Sequence, residues 1–305
     1  MQRDWYFNTC CLLAVVVPFI ALLVGIAMAW GWGVGALELV TCGTMFVLTL
    51  IGIEVGYHRH FSHRSFQARP PVRCVLAALG CMAFQGKIIW WVGVHRTHHK
   101  FSDRDGDPHS PLNGLWLSHF GWLFSSANPQ RWTRRVRDLL RDPVAVAAHR
   151  MYYLWFAVGL AVPAMVVGLV SHSWVGVATG LLWGGPIRMF LVNHVMWSTN
   201  SICHHFGARP FHTRDESRNN AWLLLPSLGT SLHNNHHAFP YAAVNSRSWW
   251  QVDLCGCVIR ALEAVGLAWD VRKPSRAEVD RKKIGGPLTE SSPAARVPSA
   301  ALSRR

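Results

Sequence analysis

Three short segments of the chain each hold closely spaced histidines, and we call each segment a histidine box. They read His95-Arg-Thr-His98-His99, His233-Asn-Asn-His236-His237 and His58-Arg-His-Phe-Ser-His63. In a helix, residues i, i+3 and i+4 share one face, so each HxxHH box is expected to direct three imidazoles towards one point. Residues five apart lie about 140° beyond a full helical turn. The pair His58 and His63 therefore suits either a helix end or two separate metals.

The number of imidazoles in the boxes limits the kind of site they can form. A single tetrahedral zinc uses at most four protein ligands, and a zinc enzyme leaves one position open. Imidazole is a ligand for iron as well as for zinc. A zinc hydrolase would need only three ligands and a positioned glutamate, as in HExxH, and the sequence lacks that motif. The boxes therefore predict a dinuclear metal site.

Three polar residues outside the boxes, His204, Asn200 and Glu54, are further candidates. His204 follows Asn200 by four residues, so in a helix the two side chains would share one face directed at the plane of the boxes. Glu54 lies four residues before His58. It is either a partner that orients this ring or an ordinary buried, hydrogen-bonded carboxylate. His60 alternates with the box residues and is expected to point elsewhere.

The boxes lie in a chain whose composition is typical of a membrane protein. Half of the 305 residues are hydrophobic and only 15% are charged. Apolar segments long enough to span a bilayer are predicted at residues 10–30, 36–57, 152–170 and 174–197. The first is longer than the apolar region of a secretory signal, so we expect a retained helix. The segment 75–94 is short and interrupted by polar residues, which favours a re-entrant or interfacial helix.

The distribution of basic residues predicts the orientation of these spans. The turns at 31–35 and 171–173 contain no Lys or Arg, whereas 58–73 and 131–150 are rich in them. The positive-inside rule therefore places both termini and all three boxes on the cytoplasmic side. His172, in the opposite loop, is excluded from the site. The region 131–150 is expected to form a basic surface helix.

These observations together predict an all-α integral membrane protein with four transmembrane helices and a cytoplasmic helical cap that carries the histidine-rich site. The membrane domain is expected over residues 1–272, with the cap formed by 58–151 and 198–272. Residues 273–305 are expected to be a disordered basic tail. The formal net charge of +14 agrees with this topology and with attraction to anionic headgroups. Since no nucleic-acid-binding motif accompanies the charge, no nucleic-acid partner is expected.

The order and wording of the boxes resemble those of the membrane-bound fatty acid desaturases. The resemblance covers about residues 10–272 and rests on the following stretches: Gly56–Phe66, His95–Ser102, Asp107-Pro-His109, Ser118–Trp122, Asn200-Ser201, Phe206–Pro210, His233–Pro240 and Trp249-Trp250. The chain looks like the Δ9-type stearoyl desaturase branch. Residues 85–91 lack the Asn-Asp pair of animal acyl-CoA enzymes and are more similar to bacterial acyl-lipid members. Residues 229–232 depart from the family by lacking an acidic residue and an aromatic before the last box.

The resemblance implies a di-iron centre that uses O₂ and two electrons to insert a cis double bond near C9 of a CoA-linked or lipid-linked acyl chain. It implies nine ligands: His58, His63, His95, His98, His99, His204, His233, His236 and His237. Asn200 would reach one iron through a water, and Asp107 and Glu54 would support ligand histidines. No catalytic residue beyond the metal ligands is implied. The electrons would come from a separate donor of ferredoxin or cytochrome b5 type with its reductase, at a bacterial inner membrane.

Two other readings of the same ligands remain open. A di-iron hydroxylase or alkane monooxygenase could carry the same boxes, because insertion of oxygen and desaturation begin with the same hydrogen abstraction. A membrane metal-binding or metal-transport protein is less consistent with the sequence. Its ligands would lie along a path within the spans, whereas these cluster at the cytoplasmic ends.

Overall fold

The chain folds into long apolar helices joined to a largely helical cap. The computed structural model describes residues 5–125 and 134–285. In chain order the helices are α1 (Trp5–Trp32), α2 (Ala36–Ile51), α3 (Pro70–Met82), α4 (Ile88–Phe101), α5 (Leu115–His119), α6 (Pro143–Arg150), α7 (Tyr152–Ser171), α8 (Trp174–Leu182), α9 (Arg188–His205), α10 (His233–Ala238), α11 (Leu254–Ala264) and α12 (Arg276–Lys282). The strands β1 (Gln67–Ala68) and β2 (Ala268–Trp269) form a two-stranded antiparallel sheet.

Four continuous helical stretches are long and apolar enough to cross a bilayer: Trp5–Trp32, Ala36–Ser62, Tyr152–Ser171 and Trp174–His205. This confirms the predicted architecture of four spans in an all-α integral membrane protein. The second and fourth stretches extend five and eight residues beyond the predicted ends, Tyr57 and Trp197. The prediction followed hydropathy, which falls where the chain leaves the apolar layer. The helices continue because their backbone hydrogen bonds do not depend on the polarity of the side chains.

A π-helical segment, Gly52–Ser62, continues α2 and carries the first histidine box. Its backbone hydrogen bonds join residues five apart, and His63 N donates to His58 O over 3.1 Å. The whole segment is buried. Such wide turns are found frequently at functional sites, because they change the direction in which side chains leave the helix.

A second irregular turn, Trp183–Ile187, separates α8 from α9. It contains Pro186, which cannot donate a backbone hydrogen bond. Arg188 follows this turn and is fully buried. Its guanidinium donates to Met82 O (2.7 Å), Gly184 O (3.2 Å) and Gly159 O (3.4 Å). The arginine thus points inward and ties α9 to the end of α3 and to α7, rather than reaching towards the membrane surface.

The segment 75–94 forms parts of two helices instead of one. Residues 83–87 interrupt it, with Phe84 at φ 59° and Gly86 at φ 103°. The helices on either side, α3 and α4, have 13 and 14 residues. At 1.5 Å per residue each is about 20 Å long and too short to cross the apolar core of a bilayer. The break places α4, with the second box, in the cap.

The basic region 131–150 is helical only in its last part. Residues 131–133 lie outside the described residues, and residues 134–142 form turns with one 3₁₀ segment, Leu139–Arg141. Asp142 begins α6 by accepting hydrogen bonds from Val144 N (3.0 Å) and Ala145 N (3.2 Å). This cap, followed by Pro143 in the first turn, fixes the helix start. The predicted helix is therefore correct for 143–150 only.

The predicted disordered tail contains one short helix. Ser275 and Glu278 form a capping box at the start of α12, and Tyr241 Oη donates to Glu278 Oε1 over 3.1 Å. Lys282 Nζ donates to Ala238 O over 2.5 Å, which attaches the helix to the last histidine box. The described part of the tail, 273–285, thus differs from the prediction because these local contacts were not recognised. Residues 286–305 lie outside the described residues.

Candidate metal centre

Nine histidines converge where the second and fourth spans meet the cap. They form two groups, within each of which the candidate ligand nitrogens lie within 4.8 Å of one another. The five-histidine group contains His58, His63, His95, His99 and His236. The four-histidine group contains His98, His204, His233 and His237. All nine are the histidines that the resemblance implied, and Asn200 lines the cavity next to them.

Each HxxHH box contributes to both groups. In α4, His95 and His99 face the five-histidine group and His98 faces the other. The last box is divided the opposite way, with His236 alone in the five-histidine group. At 100° per residue, position i+4 lies about 40° to one side of position i, and i+3 lies about 60° to the other side. The expectation that each box directs three rings towards one point is therefore wrong, because the box straddles two sites.

The first box places both of its candidate ligands in one group. His58 and His63 belong to the five-histidine group, with ring centroids 5.0 Å apart. The backbone bond from His63 N to His58 O closes a π-type turn. Residues five apart are then stacked one turn above the other, whereas in an α-helix they would diverge. Of the two alternatives that the spacing allowed, the helix end is the one observed.

The Nε2 atoms of these rings point at one another. Close pairs are His63–His95 (2.8 Å), His99–His236 (2.9 Å), His58–His236 (3.0 Å) and His204–His233 (3.0 Å). The Nε2 atoms of His98 and His237 are buried and have no hydrogen-bond partner among the described residues. A buried polar atom without a partner is costly. Converging, unpaired imidazole nitrogens fit two iron ions, because imidazole is a suitable ligand for this metal.

Four carboxylates hold the opposite ring nitrogens. The Nδ1 atoms of four histidines each lie near a carboxylate oxygen in the pairs His58–Glu54 (2.8 Å), His98–Asp107 (3.0 Å), His204–Asp103 (3.0 Å) and His237–Asp215 (2.8 Å). A carboxylate on Nδ1–H fixes the ring tautomer and leaves the Nε2 lone pair free for a metal. The expected roles of Glu54 and Asp107 in supporting ligand histidines agree with these contacts.

Asp103 and Asp215 were not recognised from the sequence. Both lie in polar loops next to acidic residues that do not contact a histidine ligand, so type and position do not single them out. Asp103 joins the two parts of the cap, because the same Oδ2 that contacts His204 also accepts from Glu216 N over 2.5 Å. Only Asp103 is close to a box along the chain, four residues after His99, and Asp105 shares that property. Asp215 lies eighteen residues before His233, so no local pattern marked it.

The protonation of the site favours metal binding. Burial, reinforced by the neighbouring histidines, holds the pKa values of His63, His95 and His99 well below the usual range. Burial also lowers the pKa of His237 to about 4, although Asp215 opposes the shift. Burial alone would raise the pKa of Asp215, but His237 and hydrogen bonds from Ser217 lower it overall. At neutral pH these rings are uncharged and Asp215 is a carboxylate, which is the state that ligands require.

His109, which is not among the nine ligands that the resemblance implied, also lies beside the site. It forms a further group with His98 and Asp107, and its ring centroid is 4.3 Å from that of His98. Burial and the neighbouring His98 lower its pKa to about 3. By contrast, His60 points away as expected. Its Nδ1 lies 3.2 Å from Phe66 O and its Nε2 accepts from Arg73.

An apolar cavity of about 360 Å³ leads to the histidines. At the metal-binding end it is lined by Glu54, His58, His95, His109, Asn200, Thr230 and His233. Its walls include Trp90, Trp91, Leu123, Met196 and Trp197. Trp91 stacks on His95 with ring centroids 5.1 Å apart, and its Nε1 donates to Gln85 Oε1 over 3.4 Å. A long apolar ligand bound in this cavity would reach the histidines, and the aromatic rings would exclude water from it.

Replacing Asp215 by asparagine is expected to reduce bound iron and activity by about ten- to a hundredfold. Asparagine keeps the size of the side chain but removes the charge that fixes the ring of His237. The measurement is iron per polypeptide together with turnover of the purified protein. Glu216→Gln is the matched control, because this carboxylate is exposed and within the described residues pairs with Arg209 and Arg218. Ion pairs of an exposed carboxylate contribute little to stability. Full iron content in Asp215→Asn would show that this hydrogen bond does not support a ligand.

Comparison with known proteins agrees with this geometry. The chain matches the Fatty acid desaturase family over residues 36–269. It is 41% identical over 285 residues to a hex-5-enoyl-[acyl-carrier protein] acetylenase of Moorena producens (strain JHB), covering 90% of this chain and 88% of the relative. It is 37% identical to Delta-9 acyl-lipid desaturase 1 of Arabidopsis thaliana, covering 87% and 83%. It is 35% identical to a chloroplastic palmitoyl-monogalactosyldiacylglycerol delta-7 desaturase of the same plant, covering 92% and 73%.

Proposed function

We propose that this chain, which belongs to the fatty acid desaturase family, inserts a cis double bond near C9 of a fatty acyl chain. It is an oxidoreductase that desaturates fatty acyl chains with O₂ at a histidine-box di-iron site. The acyl chain would be carried by CoA or by a lipid. The resemblance of the boxes to Δ9-type enzymes and the similarity to a Delta-9 acyl-lipid desaturase support this position. Other relatives are an acetylenase and a delta-7 desaturase, so the bond position is to be determined by direct measurement.

The observation that carries the proposal is the cavity that joins an apolar, aromatic wall to the two histidine groups. An acyl chain is an unbranched apolar group, and burying each CH₂ stabilises the complex by about 0.8 kcal/mol. A chain lying against Trp91 would pass beside His95, on which that indole stacks. A C–H bond in the middle of the chain is then held next to the metal-binding end.

The ligand assignment follows the two groups of histidines. We assign His58, His63, His95, His99 and His236 to one iron, and His98, His204, His233, His237 and a water on Asn200 to the other. When bound, the two iron ions supply the redox chemistry with O₂ that breaks an unactivated C–H bond, which redox-inactive zinc does not. Glu54, Asp103, Asp107 and Asp215 keep four of the rings in the orientation that ligation needs.

The remaining residues of the cavity position the substrate and exclude water. Trp90 and Trp122 are parallel, with an interplanar angle of 7° and centroids 6.1 Å apart, and they form one rigid wall. A wall of this kind limits the conformations of a bound chain. It also keeps bulk water from a strong oxidant. We infer that cavity depth beyond Trp91, rather than a catalytic side chain, determines which carbon is oxidised.

A separate protein is proposed to supply the electrons. The surface of the cap is rich in basic residues, and an acidic one-electron donor of ferredoxin or cytochrome b5 type would be attracted to it. We propose that the protein lies in a bacterial inner membrane with the cap on the cytoplasmic side. The absence of Lys and Arg from the turns at 31–35 and 171–173 supports the cytoplasmic side. The proposed membrane domain extends over residues 1–272.

The test is the fatty-acid profile of a host that lacks its own desaturase and supplies a ferredoxin or cytochrome b5 donor. New monounsaturated chains with the bond near C9 are expected when the intact chain is expressed, as read by gas chromatography with double-bond derivatisation. The His98→Ala variant is the control and should give none. Hydroxylated chains would replace the proposal by a di-iron hydroxylase, and a triple bond would indicate an acetylenase. A double bond elsewhere would reject the C9 position alone.

A further inference from the structure

The cavity lining includes a second set of polar side chains, none of which belongs to either histidine group. We call this set the cavity mouth and define it by Tyr6, Gln85, Lys87, His149 and Tyr153. They come from the start of α1, the break between α3 and α4, the end of α6 and the start of α7. No metal ligand belongs to this set. The mouth therefore needs a role other than holding iron.

The topology places the mouth at the membrane surface. The turn at 33–35 lies opposite the first histidine box, so the start of α1 is on the same side as that box. The turn at 172–173 likewise places the start of α7 on the side of His205. Tyr6 and Tyr153 are 51% and 43% exposed, and they lie beside apolar side chains that face the surroundings of the spans. Tyrosines at this level are typical of the headgroup region of a bilayer.

One hydrogen bond bridges the mouth between two spans. Tyr6 Oη and Tyr153 Oη are 2.6 Å apart and join α1 to α7. Elsewhere α1 packs mainly on the turn Trp183–Ile187 and on α9, whereas α7 packs mainly on α8 and α3 and also contacts that turn. A hydrogen bond between two exposed hydroxyls holds the two spans together only weakly, because either hydroxyl can instead hydrogen-bond to water or to a polar headgroup.

The mouth offers hydrogen-bond donors without partners. Lys87 Nζ lies 5.0 Å from the centre of the Tyr153 ring, and no carboxylate pairs with this ammonium in the part of the chain that the structure describes. The Nδ1 atom of His149 and the Nε2 atom of Gln85 are buried and have no hydrogen-bond partner within residues 5–125 and 134–285. Lys87 is close enough to His149 to lower the pKa of the imidazole, although burial is the larger cause. A ligand with several acceptor oxygens would satisfy these donors.

We propose that the cavity mouth admits the acyl chain of a membrane phospholipid from the side, with Lys87 and His149 binding the phosphate of its headgroup. The inference rests on the proposed desaturase function and identifies the carrier of the acyl chain. A phosphodiester has two charged acceptor oxygens, which take strong hydrogen bonds from an ammonium and an imidazole N–H. Phospholipid is favoured over a soluble carrier because the mouth opens between two spans at headgroup level. The tail then extends along the aromatic wall to the histidines.

The experiment uses the full chain reconstituted with its electron donor in nanodiscs that contain saturated acyl chains on one carrier at a time. The carriers are phosphatidylglycerol, a galactolipid with the same chains, acyl-CoA and acyl-[acyl-carrier protein]. Lys87→Gln is expected to lower the ratio of phosphatidylglycerol to galactolipid turnover about tenfold, through a higher half-saturating lipid fraction. Lys87→Arg should retain the ratio, because it keeps the cation. Lys273→Gln, at an exposed residue of the C-terminal tail outside the cavity, is the matched control.

Native mass spectrometry of the purified proteins provides a readout that does not depend on turnover. Retained phosphatidylglycerol is expected in the wild type and in Lys87→Arg but not in Lys87→Gln. Turnover of acyl-CoA or acyl-[acyl-carrier protein] alone, unchanged by Lys87→Gln, would overturn the phospholipid proposal and leave the desaturase function standing. An equal loss on phosphatidylglycerol and galactolipid would overturn phosphate recognition. If no carrier is turned over but phosphatidylglycerol is still retained through Lys87, the desaturase function is rejected. The proposed phospholipid binding at the cavity mouth is then kept.

Discussion

Replacing His98 by alanine is expected to abolish desaturation and to lower bound iron. His98 belongs both to the four-histidine group and to the group that it forms with Asp107 and His109. Its Nε2 is buried without a hydrogen-bond partner among the described residues, and both oxygens of Asp107 approach its Nδ1. Loss of a residue that only orients a metal ligand typically lowers metal affinity or activity about ten- to a hundredfold. Removal of the ligand itself should exceed this range, and the measurements are iron per polypeptide and the yield of unsaturated chains.

The matched control for this variant is His172→Asn. His172 is exposed, ends α7 in the left-handed conformation at φ 47°, and lies on the side opposite the boxes. Asparagine tolerates that conformation, so the change removes an imidazole without straining the turn. The control should keep wild-type iron and activity. Equal activity of the two variants would reject the ligand assignment.

Replacing Asp253 by asparagine is expected to cause the largest loss of stability. Asp253 and Arg59 are both nearly fully buried and form two hydrogen bonds, of 2.8 and 2.9 Å. The same carboxylate accepts from Asn245 N and from Gly256 N at the start of α11. Removing one partner of such a pair leaves a buried charge without compensation, at a cost of about 3–5 kcal/mol. Because Arg59 is adjacent to His58, the loss should also reduce iron binding.

The measurement is the thermal unfolding of the detergent-solubilised protein, in which a fall in Tm of about 10 °C is expected. Asp270→Asn is the control, since Asp270 is exposed and at φ 49° adopts a conformation that asparagine also tolerates. The double variant Arg59→Met with Asp253→Asn should recover part of the loss, because it removes both charges and keeps an acceptor oxygen for the backbone N–H groups. If the double variant unfolds at the same temperature as Asp253→Asn, an unpaired charge is not the cause.

The sequence by itself determined the four spans, the family resemblance and the nine converging histidines. The spans are recognisable because about 20 consecutive apolar residues have no other stable place than a bilayer. The boxes are recognisable because their ligands lie within a few residues of one another along the chain. His204 was also found, since helical spacing from Asn200 directed it at the boxes. The spans and the boxes follow from composition and local spacing, whereas the full set of nine ligands is what the family resemblance implied.

Tertiary structure decided how those histidines are divided and what supports them. His98 and His236 each face a different group from the other members of their boxes, because two helices approach the centre from opposite sides. Asp103 and Asp215 reach their histidines across 101 and 22 residues of chain, distances at which local spacing carries no information.

The π-type turn and the cavity mouth likewise depend on contacts between distant segments. The turn brings His58 and His63 into one group only while the π-helical segment that carries them is buried between α3, α4 and α11. The bridge between Tyr6 and Tyr153 spans 147 residues of the chain. Local sequence sets which side chains are available and on which side of a helix they lie. Packing between helices distant in sequence sets which of these side chains meet.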